Sequence, residues 1–300
     1  MIKLIIDAHC HIWEERLLSD DMKEKYIDLA REFECDPSLI IDINHEKLLL
    51  QMNDAGIDKA ILLALDYGTL FKLKTYKLYN SYVADIVRKH PNRFIGFAGI
   101  DPRRGNRALE EIERCAKMGL KGVKLWPITG FFPDNLEFYP FYERIEELGL
   151  TILCHTGSSP PGTYMKYNRP AHIDTIAVDF PKIKIIMAHV GVPWHSEAIA
   201  VAKKNENVFF DISSLQVTYK NAPFFFYQTL AEAKMKCGVE KILFGSDWPL
   251  FVPQMSQKEW INAIKNLEIP EPMKLLGFPD FTDEEKTMIL GGNAVRVLNI

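Results

Sequence analysis

Residues 3–11 read KLIIDAHCH, a short apolar run that ends in polar side chains at alternate positions, Asp7, His9 and His11. In an extended chain alternate residues point the same way, so the two imidazoles project from one face, about 6–7 Å apart along the strand. Seven further runs of strand length follow: KAILLAL from Lys59, RFIGFAGI from Arg93, GVKLWP from Gly122, TILCHTG from Thr151, KIIMAHVG from Lys184, NVFFDISS from Asn207 and KILFGSDWP from Lys241. Amphipathic segments separate them, and this alternation marks a parallel sheet with crossover helices. Eight strands predict a closed (β/α)8 TIM barrel of class α/β, formed as a single domain over residues 1–300.

The intervening helices are expected over 45–55, 74–89, 106–118, 140–148, 171–180, 194–204 and 223–236, with 257–266 and 283–290 closing the outer ring. Gly56, Gly119, Gly149 and Gly238 follow helix ends, where a left-handed cap needs no Cβ. One stretch breaks the rhythm. About thirty residues, 13–44, separate the first strand from its helix and include the charged run DDMKEKYIDLAREFE. An insertion of that length in a βα loop sits on the catalytic face of a barrel, so a substrate lid is expected there, against a solvated decoration or a dimer contact.

Composition narrows the class of protein. With 300 residues and 47% hydrophobic content the chain can bury a large core. The formal net charge is −4 and Lys and Arg are scattered, so no basic stripe for nucleic acid is expected. No apolar stretch reaches membrane-spanning length and the opening MIKLIID lacks a cationic leader, which predicts an unexported, cytoplasmic protein. The five cysteines, Cys10, Cys35, Cys115, Cys154 and Cys237, have the wide, irregular spacing of reduced thiols. Cys10 and Cys154 flank histidines on strands, so they face the opposite side and are read as packing.

The chemistry lies at the strand ends, where Asp7, His9, His11, Lys124, His155, His189, Asp211 and Asp247 interrupt otherwise apolar runs. A lone histidine on such a strand is usually a satisfied core residue. Recurrence at equivalent ends points instead to one site. His9 and His11 can converge on an ion to which His155 adds a third nitrogen and Asp247 an anionic oxygen. Three imidazoles and a carboxylate suit one divalent metal of the Zn²⁺ type.

The motifs DAHCH, KLWP, HTG, AHVG and GSDWP, in this order, resemble the amidohydrolase superfamily over essentially the whole chain. More narrowly they resemble the amidohydrolase-related branch that includes aminocarboxymuconate semialdehyde and resorcylate decarboxylases alongside lactone and acyl hydrolases. The stretch from HTG through AHVGVPW to FFDISS is similar to members identified as β-ketoacyl-CoA hydrolases. The resemblance implies a metal-dependent enzyme in which His9, His11, His155 and Asp247 ligate one metal, usually zinc. His189 then faces the metal's water or the substrate as general acid or base, or else ligates a second metal.

Lys124 has three readings: an ammonium that attracts a substrate carboxylate or polarises a carbonyl, a carboxylated bridge between two metals, or an ion-pair partner of Asp211 or Asp7. Asp7, on the same strand face as His9 and His11 but deeper, is expected to orient a ligand. Arg169 is expected either to recognise a substrate carboxylate or to form a surface ion pair. Trp126, Phe131, Trp194 and Trp248 are candidates for pocket walls or for packing. His45, His90, His172 and His195 fall in helical or connecting segments and are read as structural or exposed.

The expected function is hydrolysis of a small lactone, ester, amide or β-ketoacyl compound by metal-activated water. The alternative is nonoxidative decarboxylation of an aromatic or unsaturated acid. A TatD-type nuclease is disfavoured because Lys124 stands where that group carries Glu, and a non-catalytic barrel because the ligand residues are intact. The substrate is expected to bear a carboxylate or carbonyl, and the resemblance implies a homodimer.

Overall fold

The computed structural model describes residues 4–32, 35–68, 76–160 and 163–300. Eight parallel strands pair in chain order: β1 (Ile6–Cys10), β2 (Lys59–Leu63), β3 (Phe94–Gly99), β4 (Gly122–Leu125), β5 (Thr151–Cys154), β6 (Ile185–Met187), β7 (Val208–Asp211) and β8 (Ile242–Leu243). The ring closes where Ala8 N donates to Phe244 O at 2.9 Å and Cys10 pairs in parallel with Trp248. The (β/α)8 barrel expected from the strand count is the observed fold.

Both faces of the strands are apolar because both are covered. Ile61, Leu63, Phe97, Leu153, Ile186 and Leu243 fill the barrel interior, while Leu62, Val123, Ile152 and Phe210 meet the helices. Burying each such side chain stabilises the fold by roughly 1.5–3 kcal/mol. Cys10 and Cys154 belong to the helix-facing layer, as their positions beside strand histidines imply, and all five thiols are free.

The register of β1 departs from simple alternation. Asp7 lies opposite Ala60 and Cys10 opposite Leu62, so three steps on β1 match two on β2, which is a bulge. The extra residue turns Asp7 to the outer face. There its carboxylate accepts from Gln257 Nε2 at 2.8 Å, on helix Gln257–Lys265, and from Ser246 N at 2.9 Å. Asp7 therefore does not share the face of His9 and His11, contrary to the strand-alternation expectation. It ties β1 to the turn that carries Asp247.

The helices fall within a few residues of expectation. Lys74 and Thr75 of the expected 74–89 helix lie outside the described residues, and the described part spans Tyr76–Lys89. Asn44 caps helix His45–Ala55 by accepting from the N–H of Glu46 and Lys47, and Gly56 ends it at φ 74°, ψ 29°. Gly238 also has positive φ but ψ 152°, so helix Pro223–Cys237 ends without a left-handed helical cap. The expected 283–290 helix stops at Thr287 and continues as a π-turn, Met288–Gly292, before helix Asn293–Leu298. Phe244 N donates to Ile289 O at 2.9 Å and Asn293 Nδ2 reaches Ile242 O at 2.8 Å, so that irregular turn is pinned to β8.

The insertion after β1 contains a helix, α1 (Asp20–Glu32), within the stretch read only as charged. Its apolar positions Met22, Tyr26, Leu29 and Ala30 recur at i, i+4, i+7 and i+8, a helical stripe. Short helices Leu215–Asn221 and Glu271–Leu275 also escaped the sequence pattern, each being under two turns or barely two. No helix among the described residues is long and apolar enough to cross a membrane.

Candidate metal centre

His9 and His11 converge as the strand geometry requires. The Nε2 atom of each lies 3.4 Å from the same oxygen, Oδ1 of Asp247, which arrives from the far end of the sequence just beyond β8. The partners of the other ring nitrogens settle the tautomers. His11 Nδ1 is 3.0 Å from the Leu63 carbonyl, which can only accept, and His9 Nδ1 is 2.9 Å from the Asp211 carboxylate. Both Nδ1 atoms therefore carry the proton, and both Nε2 lone pairs face a carboxylate oxygen.

The same logic extends to the neighbouring pair. His155 Nε2 lies 2.9 Å from the Ser158 carbonyl, so it donates and leaves Nδ1 bare. His189 Nδ1 lies 2.8 Å from Ser213 Oγ and 3.2 Å from the Ser213 carbonyl. The Ser213 hydroxyl hydrogen is committed to Asp211. His189 Nε2 is then also bare, 3.3 Å from His155 Nδ1.

A buried chamber that gathers four imidazole lone pairs and a carboxylate is electrostatically incomplete without a cation. Lys124 Nζ, 3.3 Å from His9 Nε2, donates to only part of it. The donor set fits a divalent metal ion, and His9, His11 and Asp247 are close enough to hold one. His9, His189 and Asp211 also cluster, but the His9 and Asp211 atoms there already satisfy one another. His155 is not drawn into the trio; its bare Nδ1 stands beside His189 instead.

Asp211, at the end of β7, is the bracket of the site. Its carboxylate accepts from His9 Nδ1, from His189 N at 3.0 Å, from Ser213 N at 3.0 Å and from the Ser213 hydroxyl. It fixes the His9 tautomer and the placing of His189 together. His189 (φ 60°) and Asp247 (φ 54°) are among the few described non-glycine residues in the left-handed region, a conformation that surrounding contacts must impose.

Asp211→Asn is expected to weaken metal binding by roughly 10–100-fold, the usual effect of losing a carboxylate behind a ligating imidazole. Competition against a chromophoric chelator measures this. Unchanged affinity would show that Asp211 serves folding alone.

Burial governs the charge states. It lowers the proton affinity of His155 and of His9, and brings His189 down to about 4, so these rings are neutral at pH 7. Burial alone would raise the Asp247 and Asp211 carboxyls, but His9 and the neighbouring imidazoles outweigh it and hold both well below the usual range. Burial lowers Lys124 to about 8 against the pull of Asp247 and Asp211, leaving an ammonium at neutral pH. It is the cation beside His9, with no direct ion pair to Asp7 or Asp211 among the described contacts.

The chamber opens into a cavity of about 590 Å³ lined by His9, His11, Lys124, His155, His189 and Asp247 together with Trp13, Tyr26, Tyr67 and Trp126. Of the expected wall residues only Trp126 reaches it. Trp248 is buried beneath, its Nε1 donating to Gln51 at 2.9 Å, and Phe131 packs edge-on against Phe138. Arg169 stands outside the cavity, paired with Glu197 and lying over the Trp194 ring at 4.8 Å. That arrangement is the surface ion pair, not the carboxylate clamp. Sequence reasoning missed Trp13, Tyr26, Tyr67 and Ser213; the stripe on α1 was the signal for Tyr26.

A family model described as Amidohydrolase matches residues 6–300. Gamma-resorcylate decarboxylase of Polaromonas sp. (strain JS666) is 26% identical over 264 residues, covering 71% of this chain and 78% of that one. 2-Amino-3-carboxymuconate-6-semialdehyde decarboxylase of Dictyostelium discoideum is 21% identical over 347 residues, covering 99% and 92%. Among solved structures, a dihydroxybenzoic acid decarboxylase from Polaromonas sp. JS666 with bound manganese and the inhibitor 2-nitroresorcinol aligns with a TM-score of 0.67 at 20% identity, over 99% of this chain and 97% of that one. At that identity the structural likeness shows the fold alone. These relatives overturn the expected hydrolysis of a small carbonyl compound: they are named for removal of a carboxyl group, not for addition of water.

Proposed function

The chain belongs to the amidohydrolase family of enzymes, and from that premise we propose that it is a metal-dependent carboxy-lyase that releases CO2 from an aromatic or unsaturated carboxylic acid. One observation carries the reading. A chamber of bare imidazole nitrogens and an ionised carboxylate, with the Lys124 ammonium 3.3 Å from His9, opens directly onto a wall of aromatic rings. Such a site takes a flat, acidic molecule end-on. The decarboxylase relatives support the same class of substrate.

His9, His11 and Asp247 would hold the metal, with His155 as the fourth donor through its bare Nδ1. The donor set suits zinc and equally manganese, the ion bound in the related Polaromonas enzyme. Bound there, the cation would supply positive charge for anchoring substrate oxygens.

The chain's own residues do the rest. Lys124 attracts the substrate's anionic oxygen and holds it at the barrel mouth. His189, fixed through Nδ1 by Ser213, has its bare Nε2 free to take a proton from the acidic substrate and to deliver it to the carbon that bears the carboxylate. Asp247 and Asp211 favour the protonated imidazole during that transfer, against the pull of burial. As the C–H bond forms, the bond to the carboxyl carbon breaks, its electron pair returns to the substrate framework, and CO2 departs. Helix α1 covers the site and limits water.

The test is product chemistry. Metal-loaded protein incubated with 2-hydroxybenzoates and unsaturated dicarboxylic acids should release CO2 and give products lighter by its mass. Activity should vanish with dipicolinate and return with Zn²⁺ or Mn²⁺. Incorporation of ¹⁸O from labelled water without CO2 would sink the proposal.

A further inference from the structure

Ser214 is a serine at a helix N-cap that does not cap. It precedes the short helix Leu215–Asn221 after β7. A serine at such a position normally has an extended backbone and lends its oxygen to the N–H groups of the first turn. Here the residue is at φ 66°, ψ −14°, in the left-handed region, and its side chain makes no capping hydrogen bond. Five described non-glycine residues have positive φ, and three of them, His189, Ser214 and Asp247, line the cavity.

For a residue with a Cβ the left-handed conformation persists only where its neighbours impose it. Both neighbours of Ser214 are pinned. On one side Ser213 N donates to Asp211 at 3.0 Å, and the Ser213 hydroxyl is held by the same carboxylate. On the other, Leu215 is buried with its N–H on the Ile212 carbonyl, and Gln216 Nε2 donates at 2.7 Å to the carbonyl of Ser246, the residue before Asp247. The residues that fix the site therefore also fix this turn, and they leave Ser214 half-buried on the cavity surface with its hydroxyl unspent on the helix. Glycine would take the turn without strain, but glycine offers no hydroxyl.

We propose that Ser214 is a specificity-determining residue whose hydroxyl donates to the departing carboxylate of the substrate. Its place follows from Ser213, whose Oγ holds His189 Nδ1 at 2.8 Å. His189 acts on the carbon that bears the carboxylate, and Ser214 is the next residue along from its anchor. The inference rests on the carboxy-lyase reading for the identity of that group, and adds where the carboxylate itself is held. As the carbon–carbon bond breaks, charge leaves the carboxylate for the substrate framework, and neutral CO2 is a poor acceptor. The hydrogen bond is thus strongest before the reaction. It governs affinity for an acid over its decarboxylated product, and its loss does not slow the chemical step.

The experiment titrates metal-loaded full-length protein calorimetrically with 2-hydroxybenzoate and with phenol, and assays CO2 release on the same samples. Ser214→Ala removes the hydroxyl within the same turn, and Ser214→Gly removes it while relaxing the turn. Both should bind 2-hydroxybenzoate about 10-fold more weakly, the effect of losing a hydrogen bond to a charged group, with phenol affinity and kcat undiminished. Ser214→Gly should melt no lower than the native protein, whereas a purely structural serine would lower the melting temperature on removal. Equal loss for acid and phenol, a fall in kcat, a Ser214→Gly variant that melts lower, or no binding of 2-hydroxybenzoate by the native protein would overturn the proposal. Native CO2 release with undiminished acid affinity in both variants would sink this inference alone. Carboxylate-specific loss in a protein that releases no CO2 would sink the carboxy-lyase reading and leave the role of Ser214 in binding standing.

Discussion

Asp247→Asn should strip the protein of its metal and abolish CO2 release. Asp247 Oδ1 is the point on which both His9 Nε2 and His11 Nε2 converge at 3.4 Å, so its charge is what makes the trio a cation site. Losing an outer carboxylate costs about 10–100-fold in metal affinity, and losing a direct anionic donor should exceed about 100-fold. The residue sits at φ 54°, and Asn is among the side chains that tolerate this region best, so the substitution removes charge with little backbone cost. Metal content after dialysis, by elemental analysis, checks it, with circular dichroism confirming the fold. Full occupancy in the variant would refute the assignment.

His189→Asn should give the opposite combination, metal retained and turnover lost. His189 also occupies the left-handed region, at φ 60°, so Asn again preserves the turn. A positioned proton carrier is worth roughly 10²–10⁴ in rate, and kcat for CO2 release should fall by that factor while metal stoichiometry holds. Loss of metal together with activity would make His189 a ligand. Undiminished kcat would transfer the proton step to another group, with Lys124 the nearest candidate.

The two variants separate roles that geometry alone places side by side. His155 and His189 both present a bare nitrogen to the same space, 3.3 Å apart, and differ in what stands behind them. Behind His189 is the Ser213–Asp211 bracket, shared with His9; behind His155, among the described residues, is the Ser158 carbonyl of its own loop. A ring held by its own loop can turn toward an ion. A ring tied to the bracket is held for proton transfer.

The barrel was legible because its signal is local. Eight apolar runs alternating with helical stripes need no knowledge of partners, and HxH on a strand places two imidazoles on one face by backbone geometry alone. Asp247 was legible as a ligand-capable strand end for the same reason. What sequence could not show depends on register and on meetings across space. The bulge that turns Asp7 to the helix side exists only in the pairing of β1 with β2. Arg169 could have reached the cavity or Glu197 with equal ease along the chain, and folding placed Glu197 nearer. The charge of α1 hid its buried stripe, because a helix that covers a cavity shows solvent most of its surface. The amino-acid sequence by itself determined the barrel and which of its strands carry ligand-capable side chains, since strand period and chain order suffice for that. Only the tertiary structure decided which way each one turns and which loops wall the site, because those outcomes are set by contacts between residues far apart in the chain.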